Sequence, residues 1–176
     1  MYRLLLMLLC VFCIGCTNDV EEVRRQTRDT LFPVSSTRNV EMLYSDSARL
    51  RSRIRAPRRN TYLGEKEYVE FPEGIQVLFY ESDGSDGGQL KARYAISYTK
   101  QDKMIARNDV QLWNKEGKKL NTEELIWDQK SGRIYSEKFS KITSPEEVIY
   151  GDGFESNQDF SSYRIVKIRG IVTLKE

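Results

Sequence analysis

The sequence contains no histidine. This absence excludes Ser-His-Asp and Cys-His catalytic arrangements and the His-Glu-x-x-His zinc motif, and it removes the commonest general base of enzymes. Two acidic pairs, Glu123–Glu124 and Glu146–Glu147, are poor substitutes because adjacent residues on a strand point to opposite faces. An enzyme, of which a carboxylate-based hydrolase would be the natural kind, is therefore the least favoured class. We expect no catalytic residue, metal or cofactor.

Cysteine is scarce and confined to one end of the chain. All three cysteines, Cys10, Cys13 and Cys16, lie within the first sixteen residues. Their C-x-x-C-x-x-C spacing resembles an iron–sulfur site only superficially, because they lie in or beside an apolar targeting segment. We therefore expect neither a cluster nor a disulfide in the folded domain.

A hydrophobic run long enough to span a membrane is also missing. Arg3 is followed by an apolar run of about a dozen residues, short of the roughly 20 that a spanning helix needs. The run ends in Cys13-Ile14-Gly15-Cys16, which is similar to the lipobox of bacterial lipoproteins. We predict a signal peptide over residues 1–15, an acylated anchor at Cys16 and a polar tether over residues 16–36. Two or three acyl chains on such an anchor hold a protein stably to a bilayer.

Charge is balanced overall but concentrated locally. The net charge of +2 does not call for a polyanionic partner, and nucleic acid is the wrong partner for a lipoprotein's compartment. Four arginines, however, recur at every second position: Arg49, Arg51, Arg53 and Arg55. On a strand they would share one face, where guanidinium groups suit phosphorylated lipid headgroups. The alternative is a solvated strand that its charge protects from edge pairing.

Hydrophobic residues alternate with polar ones after the tether, a pattern typical of half-buried antiparallel strands. The run Leu90, Ala92, Tyr94, Ile96 and Tyr98 is predicted to share one face, and Met104, Ala106, Asn108, Val110 and Leu112 to share another. Turn residues separate such runs at short intervals. Ten tyrosines and seven phenylalanines also favour sheet. We predict one all-β domain over residues 37–176, a sandwich or rolled sheet.

One loop and one apolar region are candidate binding sites. The segment 83–88 lacks the acidic order of a calcium loop and is interpreted as a hairpin loop. The last third of the chain is richest in large apolar residues. Ordinary core packing explains most of them, but in a sheet that stays open along one edge they would line a trough wide enough for acyl chains.

Two segments resemble the LptC family, the periplasmic bridge component of the lipopolysaccharide export transporter. Residues 110–128 follow the pattern V-x-L-x-N-x-x-G-x-x-L-x-T-x-x-L-x-W-D, and residues 151–160 follow G-x-G-F-x-S-N-x-D-F. The stretches 40–46 and 54–57 fit the N-terminal strands of the family more loosely. The resemblance covers roughly residues 37–170.

The resemblance implies an antiparallel β-jellyroll, or open twisted β-sandwich (OstA-like), with no enzymatic activity. Such a protein accepts lipopolysaccharide from the permease subunits of the inner-membrane ABC transporter and passes it to the next periplasmic bridge protein. Edge strands at both ends would pair with these partners, and a homodimer is a further possibility. Family members often carry a transmembrane helix where this chain has a lipobox. The expected location is the periplasm, lipid-anchored to the inner membrane.

An acyl chain needs a continuous apolar groove, since each methylene exposed to water costs about 0.8 kcal/mol. Alternation and the two motifs select these lining residues: Leu112, Leu125, Trp127, Ile142, Phe154, Phe160, Tyr163 and Ile165. A shift of one residue in register would turn each of them to the other face. The competing interpretation is a structural β-sandwich lipoprotein, an adhesin or assembly scaffold, with a filled core.

Overall fold

The computed structural model describes residues 32–64, 67–81, 83–158 and 160–174, without the side chain of Asp46. In these ranges the elements are twelve strands and one 3₁₀ turn, Thr99–Gln101. The strands are β1 Ser35–Asp46, β2 Arg49–Tyr62, β3 Tyr68–Phe71, β4 Ile75–Tyr80, β5 Asp86–Ala92, β6 Tyr94–Tyr98, β7 Lys103–Asn114, β8 Lys119–Asp128, β9 Arg133–Thr143, β10 Glu147–Asn157, β11 Tyr163–Ile165 and β12 Ile168–Thr173. The expected all-β fold is confirmed.

Strand pairing joins β2 to β7 by two routes, which form two layers. The first layer runs from the start of β2 through β4 and β5 to the end of β7. The second runs from the end of β2 through β3 and β6 to the start of β7. The two routes together close a ring, and β8, β9 and β10 continue the sheet beyond β7. All these pairings are antiparallel, as a jellyroll requires.

The long strands bend where they pass from one layer to the other. Register shifts occur in β7 between Arg107 and Val110, and in β10 between Asp152 and Phe154. Asn108, Asp109 and Gly153 have positive φ values of 64°, 55° and 122°. Asn, Asp and Gly tolerate that conformation better than other residues, and bulges are a usual way to turn a strand around a corner. One strand can therefore contribute to both layers.

The core collects the inward residues of both layers. In the first layer, register aligns Val77, Leu90, Leu112, Leu120 and Ile142 across five neighbouring strands. These side chains are buried in one cluster with those of the second layer. The alternation read from the sequence is thus the alternation of core and outer face in β4, β5 and β7.

One predicted face is wrong. Leu90 to Tyr98 is not a single strand, because β5 ends at Ala92 and β6 begins at Tyr94. The amide of Arg93 donates to the carbonyl of Asn108 at 3.0 Å, and the chain changes layer there. The inward face changes with it, so Ala95 is fully buried while Tyr94 is only half-buried.

Other expectations from the sequence can be compared with the strands and their burial. In β7 the predicted inward set holds except for Asn108, which is exposed at the bend. Of the predicted hairpin loop 83–88, residues 83–85 lie between β4 and β5, whereas residues 86–88 already belong to β5. The first strand begins at Ser35, inside the range assigned to the tether. The predicted signal peptide, Cys16 and the tether up to residue 31 lie outside the described residues.

Candidate functional site

The first motif builds a tight turn around Asn114, which is buried at the end of β7. Its side-chain Oδ1 accepts hydrogen bonds from the amides of Glu116 and Lys118, both at 3.0 Å. Gly117 has a φ of 78°, a conformation that favours glycine, and its amide donates to the Asn114 carbonyl at 3.2 Å. The N-x-x-G part of the motif is thereby explained as turn chemistry.

The second motif builds the loop between β10 and β11 around Asn157. The Asn157 side chain accepts from the amide of Ser162 at 3.0 Å and donates to the Ser161 hydroxyl at 2.9 Å. The loop turns Phe160 back under the sheet, and that residue takes a positive φ of 56°. A phenylalanine in this conformation is uncommon and is held there by its surroundings.

The two motifs meet at one end of the roll. Asn114 Nδ2 donates to the carbonyl oxygen of Phe160 at 3.2 Å, a buried hydrogen bond between residues 46 positions apart. The Phe160 ring packs edge-on against Phe154 with centroids 5.4 Å apart, and its centroid lies 5.4 Å from that of Tyr163. Lys118 places its ammonium 5.5 Å from the Tyr163 centroid. This aromatic cluster closes the interior at the β10–β11 end.

The eight predicted lining residues all belong to the interior. Five are fully buried: Leu112, Leu125, Ile142, Phe154 and Phe160. The other three, Trp127, Tyr163 and Ile165, are partly buried and pack against that core. In this conformation they contact one another and their neighbours, so an acyl chain would reach them only if the two layers separated. Their role as a lipid lining stays a prediction.

Trp127 carries an unsatisfied polar atom in this interior. Its indole Nε1 is buried and has no hydrogen-bond partner. A buried donor without an acceptor costs about 1–3 kcal/mol, and most buried donors in folded proteins are paired. Trp127 lies in the second layer, between Met104 of β7 and Ile134 of β9. A bound molecule that offered an acceptor to this indole would satisfy the unpaired donor.

An open groove of about 780 Å³ lies where the two layers diverge between β2 and β5. Its apolar floor includes Val40, Ala56 and Ile75, and cationic Lys91 and Arg93 stand at its side. Val40 is half-buried there, while Ala56 and Ile75 are each only 5 % exposed, so the groove borders the core without opening it.

The arginine run forms the predicted strand, β2, but its charges are partly neutralised. Arg55 Nε lies 2.9 Å from one carboxylate oxygen of Glu41, and Arg53 Nε lies 3.6 Å from the other. Arg49 is exposed and Arg51 is half-buried. Two of the four candidate headgroup ligands therefore already have a carboxylate partner in β1.

Exposed apolar side chains gather at both ends of the sheet. Four of them are on or beside β1: Phe32, Val34, Leu43 and Tyr44. Four are on or beside β12: Ile168, Ile171, Val172 and Leu174. Within the described residues β1 pairs only with β2, and β12 only with β10. Each strand thus presents a free, apolar edge suited to pairing with another chain.

A cluster of one carboxylate, Glu70, with tyrosine hydroxyls was not foreseen from the sequence. Glu70 accepts hydrogen bonds from the hydroxyls of Tyr62 at 3.1 Å and Tyr94 at 3.0 Å. Burial, followed by the hydrogen bond to Glu70, raises the pKa of Tyr94 to about 12. The tyrosines at 62 and 68 stack with centroids 4.4 Å apart. A carboxylate surrounded by phenols is a structural support of the second layer rather than a pair of converging acids.

The acidic pair Glu123–Glu124 does not converge on a common point either. The Glu124 side chain is held by Arg107, whose Nε lies 2.6 Å from its carboxylate, whereas Glu123 is exposed.

No helix in the described part of the chain has the length and apolar character needed to cross a membrane.

Comparison with known proteins places this fold and its motifs in one family. No curated protein matches the chain. A family model described as "Lipopolysaccharide-assembly, LptC-related" matches residues 4–170, which includes both motifs and every strand from β1 to β11. The family serves lipopolysaccharide transport as a periplasmic bridge component and is not an enzyme family. Because the match extends over nearly the whole sequence, the chain belongs to the LptC-related family of lipopolysaccharide-assembly proteins.

Proposed function

We propose that this chain receives lipopolysaccharide from the permease subunits of the inner-membrane ABC transporter and passes it to the next bridge protein. The observation that carries the proposal is the family match over residues 4–170 on a β-roll with a continuous apolar interior. The interior rather than a polar pocket would hold the acyl chains, because every buried methylene contributes about 0.8 kcal/mol.

Entry of acyl chains would begin at the groove between the layers. Ala56 and Ile75 line the floor of the groove, belong to the core and are each only 5 % exposed. Separation of the layers from that point would expose the lining set, and the unpaired Trp127 indole would gain an acceptor from the ligand. Arg55, which lines the groove, and the other arginines of β2 would contact the anionic headgroup.

The two free edges supply the assembly surfaces of this proposal. β1 and β12 both carry apolar side chains beside unpaired backbone groups. Pairing β1 with one neighbour and β12 with the other would continue the antiparallel sheet from component to component. Acylated Cys16 would hold the protein to the inner membrane, with the domain in the periplasm.

Photo-crosslinking tests the carrier role on the full chain. A photoreactive residue replaces Trp127 or Tyr163 in the interior, and Arg164 serves as the control because it is exposed and pairs with Glu155 on the outer face. Purified lipopolysaccharide should label the two interior positions and leave Arg164 unlabelled. Folded variants that give no labelling at Trp127 and Tyr163 would contradict an acyl-carrying interior.

A structural scaffold is the second candidate, and the packed interior favours it. Phe154, Phe160 and Leu112 are fully buried with no space around them for a ligand in this conformation. A scaffold would use the free edges of β1 and β12 and never open. Absence of interior crosslinks together with retained binding of both neighbours would support this candidate.

A further inference from the structure

The outer face of the first layer carries an ordered row of amide, lysine and aromatic side chains. Register aligns Gln76, Lys91, Gln111, Asn121, Lys141 and Tyr150 on consecutive strands from β4 to β10. The six strands extend over about 24 Å at the usual spacing of about 4.8 Å. All six side chains are half-buried or exposed, opposite the core row.

A second row beside the first adds Trp113. Register places Gln89, Trp113 and Lys119 on adjacent strands. The ammonium groups of Lys119 and Lys91 lie 4.9 Å and 5.7 Å from the Trp113 ring centroid. The Lys141 ammonium lies 5.8 Å from the Tyr150 ring centroid in the same way. Lysines and aromatic rings thus alternate along the face, which we call the lysine–aromatic face.

The charge of this face is not neutralised. Among the ion pairs of the described residues, none involves Lys91, Lys119 or Lys141. Most other cationic side chains near the sheet have a carboxylate within 4 Å, as Arg55 has in Glu41. The three lysines contact aromatic rings instead, and a cation–π contact leaves the positive charge in place.

The amides are the second unusual component. Gln76 Nε2 donates to Gln89 Oε1 at 3.3 Å, so the two glutamines are oriented side by side. Gln111 and Asn121 continue the row between lysines. Each carboxamide offers two donors and an acceptor, the set that matches neighbouring hydroxyl groups. Several amides on one face suit a partner that carries hydroxyls rather than an apolar one.

From this juxtaposition we propose that the lysine–aromatic face binds an anionic saccharide, a sugar chain that carries phosphate or carboxylate groups. The lysines would bind the acidic groups, the amides the hydroxyls, and the exposed parts of Trp113 and Tyr150 the apolar faces of the sugar rings. A bilayer fits less well, because polar amides separate the two aromatic rings. The face is distinct from the interior, and its role does not depend on whether acyl chains enter there.

Binding is tested with the full chain and a defined probe, the phosphorylated oligosaccharide that remains when lipopolysaccharide is stripped of its lipid. Isothermal titration should show binding that weakens at least tenfold in the double variant Lys91→Gln/Lys119→Gln. The matched control Lys130→Gln/Lys167→Gln removes the same charge from two exposed lysines in turns outside this face. Its affinity for the oligosaccharide should stay within twofold of that of the wild type.

Several outcomes would overturn the proposal. They are no binding of the oligosaccharide, an equal loss in both double variants, and equally strong binding of a neutral oligosaccharide that carries neither phosphate nor carboxylate. Binding only to phosphatidylglycerol vesicles would assign the face to a membrane surface instead. Because the probe has no acyl chains, a failure here leaves the interior carrier role untouched, and a failure of the interior crosslinks leaves this face untouched.

Discussion

Replacement of Phe160 by alanine should destabilise the protein strongly although Phe160 lies in a loop. The side chain is only 1 % exposed and contacts the rings of Phe154 and Tyr163. Removal of a buried phenylalanine side chain costs about 3–5 kcal/mol. Alanine still has a Cβ, so the substitution does not relieve the backbone strain of the positive φ at this position. With a urea m-value of about 2 kcal/mol/M, the midpoint of unfolding should fall by about 1.5–2.5 M.

Phe139→Ala is the matched control, because the Phe139 side chain is 51 % exposed at the bend of β9. Its effect on the free energy of unfolding should stay below about 1 kcal/mol. Urea unfolding followed by circular dichroism measures both variants. The prediction fails if Phe160→Ala lowers the free energy of unfolding by less than about 1 kcal/mol, or by no more than Phe139→Ala does. The loop would then not be part of the core, and Phe160 would not close this end of the roll.

Three other predictions concern single residues. Asn114→Ala removes a side chain with three hydrogen bonds and should lower the free energy of unfolding, measured by urea denaturation, by about 1–3 kcal/mol. The control Asn121→Ala replaces a half-buried asparagine and should lower it by less than about 0.5 kcal/mol. The pKa of Tyr94 is raised to about 12, so its contribution to stability is complete below pH 10 and is lost as the pH approaches 12. Thermal unfolding measured over a pH series should therefore show a smaller alkaline loss of stability in Tyr94→Phe than in the wild type. An equal loss in both proteins would refute this role of Tyr94. Cys16→Ala should abolish acylation and membrane retention, and an unchanged mass shift and fractionation would remove the predicted lipid anchor.

Strand formation was predictable because it depends on local alternation. β2 is the clearest case, since the run from Arg49 to Arg55 alternates with Leu50 and Ile54 and the strand forms there. β7 was also predicted, and its exception, Asn108, is where the strand turns a corner. Alternation reports which side chains share a face, and it fails where a bend changes that face.

The break at Arg93 was not predictable because it depends on a distant partner. Local sequence continues the alternation from Leu90 to Tyr98, but the Arg93 amide bonds to Asn108 and the chain changes layer. The choice between one strand and two is made by pairing with β7 rather than by β-propensity. The period-two pattern alone therefore assigned Tyr94 to the wrong face.

The two motifs contain the residues that close the β10–β11 end of the roll, but the sequence does not show that these residues contact one another. Asn114 and Phe160 were both within the recognised patterns, but their hydrogen bond joins segments far apart in sequence. The Glu70 cluster was missed for the same reason, since its phenols come from β2 and β6. The local sequence shows only that Asn60 and Tyr62, two residues apart, share one face of β2.

Fluorine NMR of the protein labelled with 5-fluorotryptophan tests the carrier claim most directly, because the chain has two tryptophans. Trp127 lies in the interior and Trp113 on the outer face. We expect intact lipopolysaccharide to shift the Trp127 resonance, and the lipid-free oligosaccharide to shift only that of Trp113. A Trp127 resonance that stays unchanged while lipopolysaccharide is bound would contradict transport of acyl chains through the interior of the roll.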